Sequence, residues 1–330
     1  MTIPSLTPAA ASSGTRPGPA RRALRALAVA ACVPYVSLKA VWIAGGETGI
    51  PAGSVLLENR GLLAAVNALT VAADVLVVVL ALLLTQAWGR RVPAWLLTPP
   101  MWAATGLLVP IMTGCPAQLL VGLLSGDERA AAPSEPFLEP WVFTVVYGGF
   151  ILQGLSLGIL FALYARDRWG RVRRGRLGDL SARLGGPGVR AAAAAGALLA
   201  LFPASVHLLW LCGADTGLSP AQIAGRDADF HVLEAQRFAF LVLAVTATLL
   251  LVLRRPARWR VRSTLAAAWT ASAAVGCWGA YMSLVSLLPE TGPDTAVTAL
   301  TRLTYAGDMI TGFLLAACVA VLLRRRSAEA

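Results

Sequence analysis

The sequence predicts an all-α fold, a polytopic transmembrane bundle of eight helices. Of the 330 residues, 57% are hydrophobic and 14% are charged, and the mean hydropathy is +0.68. Soluble domains carry about a quarter charged residues, so this composition excludes a water-soluble enzyme as the whole chain. Several apolar runs reach about 20 residues, the length that a helix needs to cross the hydrocarbon of a bilayer.

The chain contains eight apolar segments, each long enough to span a membrane. They run continuously, without the two-residue alternation of a barrel strand, and a helix satisfies its own backbone hydrogen bonds in lipid. Each segment is therefore predicted to be a helix. In chain order they cover residues 26–45, 62–87, 93–114, 138–165, 191–212, 232–253, 264–288 and 296–323.

The arginines lie in alternate loops between these segments. The sequence has 27 arginines and one lysine, and 22 of the arginines fall on one side of the predicted bundle, while 12 of the 17 acidic residues fall on the other. Because loops rich in Lys and Arg stay in the cytoplasm, both termini are predicted to be cytoplasmic, in a multi-pass protein of the cytoplasmic (inner) membrane. The net charge of +11 is thus explained by topology, and nucleic acid is not expected as a partner.

The two ends of the chain are predicted to be cytoplasmic tails. Residues 1–20 are rich in Pro, Ser, Thr and Ala and lack periodicity, which is typical of a disordered segment, and residues 324–330 form the second tail. A cleaved lipoprotein-like signal ending at Cys32 is disfavoured. The apolar stretch before that cysteine is shorter than the roughly 7–15 residues of such signals.

Two stretches of the first half recur in the second half. Lys39–Ile50 (KAVWIAGGETGI) matches His207–Leu218 (HLLWLCGADTGL), and Tyr147–Gly154 (YGGFILQG) matches Tyr305–Gly312 (YAGDMITG). Chance similarity among Ala-, Gly- and Leu-rich helices is the alternative explanation. The shared Trp, Thr and acidic positions argue against it, because they lie outside that restricted alphabet.

These matches predict two tandem four-helix repeats, residues 21–165 and 191–323, joined by an Arg-rich cytoplasmic linker over residues 166–190. Each repeat crosses the membrane an even number of times, so both insert in the same orientation. They would be related by a pseudo-two-fold axis along the membrane normal, and a binding site is expected at their interface.

Ionisable side chains inside the segments are costly in hydrocarbon and mark either function or a structural pair. Lys39, the only lysine, and its repeat counterpart His207 lie at the same depth. Asp74 lies in mid-segment, so it is expected to be protonated or paired, with Lys39 as partner. Tyr305 and Asp308 share one stripe of the last segment. The alternatives are that Lys39 reaches the outer interface and that His207 is a packing residue.

A second set of polar and aromatic residues completes the predicted site. Glu234 and Arg237 are three residues apart on one helical face and are expected to pair. Most of these groups lie towards the outer side, which predicts a polar vestibule open to the outside, while most tryptophans are expected in the interfacial belts. The full secondary set is Trp42, Trp210, Tyr147, Gln153, Glu139, Glu234, Arg237 and Arg302.

No cofactor or metal site is predicted. The only histidines are His207 and His231, and the five cysteines lack the spacing of a zinc site. Cys115 and Cys212 both fall near outer helix ends, where a disulfide is one alternative. Two free thiols packed as small hydrophobic side chains are the other, favoured alternative.

In composition, Ala-rich helices with arginine in place of lysine resemble multi-pass membrane proteins of high-GC bacteria, notably actinobacteria. This resemblance carries over no catalytic residues. Three hypotheses remain: transport or binding of a small solute at an outward-facing polar site between the repeats, a membrane-embedded enzyme acting on a lipid-linked or apolar substrate at the outer leaflet, and a non-catalytic subunit of an envelope complex. The first is favoured; the oligomeric state stays open.

Overall fold

The computed structural model describes residues 17–57, 60–125, 138–287 and 296–329, and within these ranges the chain is helical, without strands. The predicted all-α bundle is confirmed. The helices are α1 (Pro19–Ile43), α2 (Arg60–Thr85), α3 (Ala94–Ser125), α4 (Pro140–Arg173), α5 (Pro187–Leu211), the short α6 (Pro220–Ala224), α7 (Ala228–Leu253), α8 (Val261–Val285) and α9 (Ala299–Glu329).

Each predicted segment coincides with one long helix, but several helices run further. Helix α3 continues past residue 114 to Ser125 with Pro116 inside it, and α4 extends through the first part of the predicted linker. Residues 1–16 of the predicted N-terminal tail lie outside the described residues, and the predicted C-terminal tail is helical as far as Glu329.

Seven helices of the described ranges are long and apolar enough to cross a membrane: α1, α2, α3, α4, α5, α7 and α9. Their surfaces expose large apolar side chains, such as Leu123 at 81% and Leu198 at 70% exposure. A soluble bundle would bury such side chains, whereas hydrocarbon solvates them. The chain is therefore a multi-pass membrane protein.

The eighth long helix, α8, is less apolar because other helices surround it. It packs against α3, α7 and α9, and its buried face consists of small residues such as Ala271, Ser272 and Gly276. Mean hydropathy reflects how much of a helix contacts lipid, so it is lower for a helix that contacts mainly protein. At 25 residues α8 is as long as α1 and α5, and it connects the two ends of the bundle.

The helix ends gather at two opposite ends of the bundle. At the arginine-rich end, arginine side chains satisfy carbonyls of the loop after α4: Arg254 donates to the Leu180 carbonyl at 2.9 Å and Arg325 to the Leu184 carbonyl at 3.1 Å. At the acidic end lie the turns after α1 and α5, with Glu47 among them. Charge is thus sorted along the bundle axis, as the loop pattern predicts.

The first helix of each half packs in the same way. Helix α1 packs on α2 and α4, and α5 packs on α7 and α9; α3 and α8 lie against each other where the halves meet.

The turns that follow α1 and α5 are also alike. Trp42 Nε1 donates to the Thr48 carbonyl at 2.8 Å, and Trp210 Nε1 donates to the Thr216 carbonyl at 2.9 Å. These paired geometries support the predicted repeat, which stays a prediction.

An arginine side chain stabilises each of these turns with an ion pair and a hydrogen bond. Arg60 pairs with Glu47 and donates to the Gly45 carbonyl at 3.3 Å. Arg226 pairs with Asp215 at 2.7 Å and donates to the Gly213 carbonyl, also at 2.7 Å. Each arginine therefore satisfies a carbonyl just beyond the end of a helix.

Four glycines with positive φ give a matched test of these turns. Gly45 (φ +89°) and Gly213 (φ +91°) have open space where a Cβ would be, so Gly45→Ala and Gly213→Ala should cost only the left-handed backbone term of about 1–2 kcal/mol. At Gly49 and Gly217 a Cβ would also collide with α4 and α9, so alanine there should lower the melting temperature further. Equal losses at all four positions, in thermal unfolding of the detergent-solubilised protein, would contradict the docking of the turns.

Topology can be tested with native and introduced cysteines. Cys212 is exposed at the acidic end. If that end faces outward, a membrane-impermeant maleimide should label Cys212 of a Cys115→Ser variant in intact cells. In a Cys115→Ser/Cys212→Ser background, Ala182→Cys, exposed at the arginine-rich end, should react only in inverted vesicles. The reverse labelling pattern would overturn the predicted orientation.

Candidate functional site

Helices α5, α7 and α9 bury a cluster of charged side chains in the second half, here called the His207 cluster. His207 Nδ1 lies 2.5 Å from Glu234 Oε2, and His207 Nε2 lies 3.0 Å from Asp308 Oδ2. Arg237 Nη1 donates to Glu234 Oε1 at 2.9 Å, the pair that their spacing predicts, and its guanidinium lies 5.5 Å from the centre of the Tyr305 ring. The five side chains form one connected network.

Close helix packing brings Asp308 into this interior position. A Cβ at Gly279 of α8 would lie only 2.8 Å from the Cβ of Asp308, and a Cβ at Gly307 would touch Pro203 of α5 at 3.4 Å. Gly276 and Gly312 likewise bring α8 and α9 almost into backbone contact. Small residues therefore allow α9 to sit deep among its neighbours, with its carboxylate turned inward.

The cluster is almost fully removed from solvent, so its charge balance matters. His207 is 0% exposed, Glu234 2% and Asp308 6%. With Arg237 cationic and both carboxylates ionised, the net charge is −1 when His207 is neutral and 0 when His207 is protonated. Burying a net charge is costly. The arrangement therefore favours holding one proton in addition to those of Arg237.

One oxygen of the cluster has no partner. Asp308 Oδ2 contacts His207, but Asp308 Oδ1 is buried without a hydrogen bond. A buried oxygen of this kind requires a proton, a water molecule or a ligand group to satisfy it. The cluster is thus open to one further polar contact.

A cavity of about 380 Å³ lies above the cluster at the acidic end of the bundle. Its floor contains Glu234, Arg237 and Tyr305, and Trp210 forms one wall. Helix α6 closes the side: Ser219 caps it, with its backbone N–H donating to Gln222 Oε1 at 2.9 Å. The His207 cluster is thereby connected to a space large enough for a small molecule.

The first half contains a different polar arrangement between α1, α2 and α4. Lys39 Nζ donates to Asn67 Oδ1 at 2.8 Å and lies over the rings of Tyr35 and Trp42, 4.7 and 4.6 Å from their centres. This lysine is therefore stabilised by an amide and two aromatic faces.

Lys39 and Asp74, both among the described residues, do not form the direct ion pair that was the expected alternative to a protonated Asp74. Asp74 Oδ1 instead accepts a hydrogen bond from Gln153 Nε2 at 3.0 Å, and the same nitrogen lies 3.3 Å from Cys32 Sγ. Asp74 Oδ2 is buried without a partner. Without a cation in contact, the protonated form of Asp74 is the favourable one in hydrocarbon.

The five primary candidates do not meet between the halves, which corrects that expectation. His207, Tyr305 and Asp308 form one cluster in the second half, whereas Lys39 and Asp74 lie in the first half. The contact between the halves is made mainly by α3 against α7 and α8, with smaller contacts of α4 against α8 and α9, and α3 carries no charged residue. Each half instead places its polar groups among its own three helices.

The secondary candidates divide between the cluster, the turns and the surface. Glu234, Arg237 and Trp210 belong to the cavity, and Trp42 holds the first turn. The remaining positions are exposed or serve packing: Glu139 and Arg302 are exposed, Tyr147 stacks on Phe143, and Gln153 is buried beside Asp74.

Sequence analysis missed helix α6 and its contribution to the cavity. Ser219 and Gln222 form a capping box, Ser-x-x-Gln, which is a recognisable signal for a helix start. The short helix lies between the fifth and sixth predicted segments, which end at residue 212 and begin at residue 232.

Among the described residues, all five cysteines are free, including Cys115 and Cys212, so the disulfide alternative is not formed in this structure. In the same ranges no group of three or more His, Cys, Asp or Glu side chains is arranged to hold a metal ion.

Fold and site together define a multi-pass α-helical membrane protein with a buried ionisable cluster below an open cavity. The chain matches no protein family model, no curated protein and no solved structure. Its activity is therefore inferred from its own geometry.

Substitutions at the two buried carboxylate sites are expected to change the stability of the protein by different amounts. His207→Phe leaves two buried carboxylates with one cation and should destabilise the protein by about 3–5 kcal/mol. Asp74→Asn keeps the shape and the acceptor for Gln153, and should change stability by less than about 1 kcal/mol. Thermal unfolding in detergent at neutral pH measures both. A large loss in Asp74→Asn would mean that Asp74 is ionised and paired.

Proposed function

We propose that this membrane protein binds a small solute from the outer side, in the cavity above the His207 cluster, and carries it across the membrane together with a proton. The observation that supports this most is the direct connection between cavity and cluster. Glu234 and Arg237 form the cavity floor, and Glu234 contacts His207, which contacts Asp308.

The exposure of the floor residues supports entry from the cavity. The Arg237 side chain is 24% exposed, whereas the Glu234 side chain behind it is 3% exposed. A solute entering the cavity would therefore meet the guanidinium first. Glu234 also borders the cavity but is far less accessible, and His207 lies behind Glu234.

The charge balance of the cluster supports coupling to a proton. One extra proton neutralises the cluster, and buried carboxylate–histidine chains of this kind serve as proton relays in membrane transporters. A solute that changes the charge at Arg237 would change the preferred protonation of the whole network.

The difference between the halves supports a division of roles. Asp308 is aligned with Phe150 of the first half, and His207 with Lys39. The first half holds Lys39 with neutral groups, as a scaffold would, while the second half contains the charged network.

The enzyme hypothesis fits this geometry less well. His207 is fully buried and does not line the cavity, so it is not placed to act directly as acid or base on a molecule bound there.

Transport can be tested in proteoliposomes loaded with a pH-sensitive dye. A panel of small carboxylates, amino acids, amines and sugars is added outside, and protein-free liposomes give the passive background. At least one solute should acidify the lumen with wild-type protein, and Asp308→Asn should reduce this by at least ~10-fold, the loss of about 1.4 kcal/mol. Tyr147→Phe, at the repeat counterpart of Tyr305, should retain it. No protein-dependent flux across the panel would count against transport.

A further inference from the structure

The floor of the cavity contains one permanent cation, and that cation already has a partner. Arg237 Nη1 donates to Glu234 Oε1 at 2.9 Å. A guanidinium carries five N–H donors in a planar fork that fits a carboxylate with two parallel hydrogen bonds. The bond to Glu234 and the contact with Tyr305 use only part of this capacity, and the Arg237 side chain, which borders the cavity, is partly exposed.

The rest of the cavity wall is neutral and largely apolar. Trp210, Phe230 and Leu218 contribute aromatic and aliphatic surface, and the indole N–H of Trp210 is occupied by the Thr216 carbonyl. Ser219 and Gln222 are engaged in capping α6. A ligand that fits these walls has an apolar body, and Arg237 is the group that would hold its polar end.

We propose that the solute is a small carboxylate anion with an apolar side group. This anion forms an ion pair with Arg237 in place of Glu234, and Glu234 binds one proton as the Arg237–Glu234 ion pair opens. This inference rests on the proposed function and names its substrate class and coupling step. The charges balance: the Arg237–Glu234 pair is replaced by an Arg237–solute pair and a neutral Glu234. One anion and one proton therefore enter the site together, without change in net charge.

The surroundings of Glu234 allow this exchange. Its charged or titratable neighbours are His207 from α5, Arg237 from its own helix, and Tyr305 and Asp308 from α9. Helix α3 carries no charged residue, and the charged residue of α8 is Arg262 in its first turn, at the far end; their titratable side chains are Cys115, Cys277 and Tyr281. Apart from His207, which also contacts Asp308 through its other ring nitrogen, no cation among these described neighbours remains beside Glu234 once Arg237 has turned to the solute.

Titratable groups at the rim of the cavity are occupied elsewhere. His231 Nδ1 lies 3.2 Å from the Leu211 carbonyl, and Arg226 pairs with Asp215. Asp229, in the first turn of α7, adds negative charge at this end, which disfavours an alternative anion site there. Arg237 and Glu234 are therefore the two ionisable residues on which the proposal depends.

Calorimetric titration of the purified full chain in detergent tests both parts of the inference. Phenylacetate is the anionic probe, with phenylacetamide and phenethylamine as neutral and cationic counterparts of the same shape. Titration at pH 7 in two buffers of different ionisation enthalpy reports proton uptake. Phenylacetate alone should bind, with about one proton taken up per ligand, and its affinity should rise roughly tenfold for each unit of falling pH while Glu234 is ionised.

Two substitutions separate the roles of the floor residues. Arg237→Gln should abolish phenylacetate binding. Glu234→Gln should retain it but eliminate the proton uptake, with Tyr147→Phe as the unchanged control. If Glu234→Gln does not fold, the pH dependence of wild-type affinity carries the test.

The other possible outcomes would contradict different parts of the inference. Equal binding of phenylacetamide, or phenylacetate binding without proton uptake, would reject the carboxylate exchange while leaving proton-coupled transport of another solute intact. Failure of all three probes to bind would reject this substrate class. Combined with absent flux in the proteoliposome panel, it would also remove the proposed function.

Discussion

The low solvating power of hydrocarbon for charge is the constraint on which the rest of this structure depends. Inside a bilayer every backbone and charged group must find its partner within the protein. The long helices satisfy the first requirement by their own hydrogen bonds. The second explains why the arginines gather at one end, why Lys39 sits against an amide and two aromatic rings, and why Glu234 and Asp308 flank His207 on both ring nitrogens.

The two halves meet this constraint with the same scaffold and different chemistry. In both, a tryptophan and an arginine close the turn after the first helix, and the first helix packs on the second and fourth. Between those helices the first half places Lys39 and Asn67, and the second half places His207 and Glu234. The first half thus leaves Lys39 with neutral partners, whereas the two carboxylates of the second half favour an additional proton. Under the proposed function, coupling would depend on these few residues of the second half.

Much of the architecture was predictable because it follows from local properties of the chain. The eight segments correspond to eight long helices. Glu234 and Arg237 form an ion pair, as their spacing of three residues on one helix predicts. The incorrect expectations concerned contacts between different helices. Lys39 and Asp74 share a half and opposite charges, yet Asn67 and Gln153 lie closer to them, and no pattern within either segment indicates this.

The sequence by itself determined that the chain is helical, that it is suited to lipid, and which side chains are too costly to be incidental, since apolar length and loop charge are read one segment at a time. Tertiary structure alone decided which of those side chains meet. Helix rotation and depth depend on close contacts such as Gly279 against Asp308 and Gly307 against Pro203. Those contacts are made between different helices, and α5 and α9 are far apart in the sequence, so only the packed structure places the ionisable cluster within the second half.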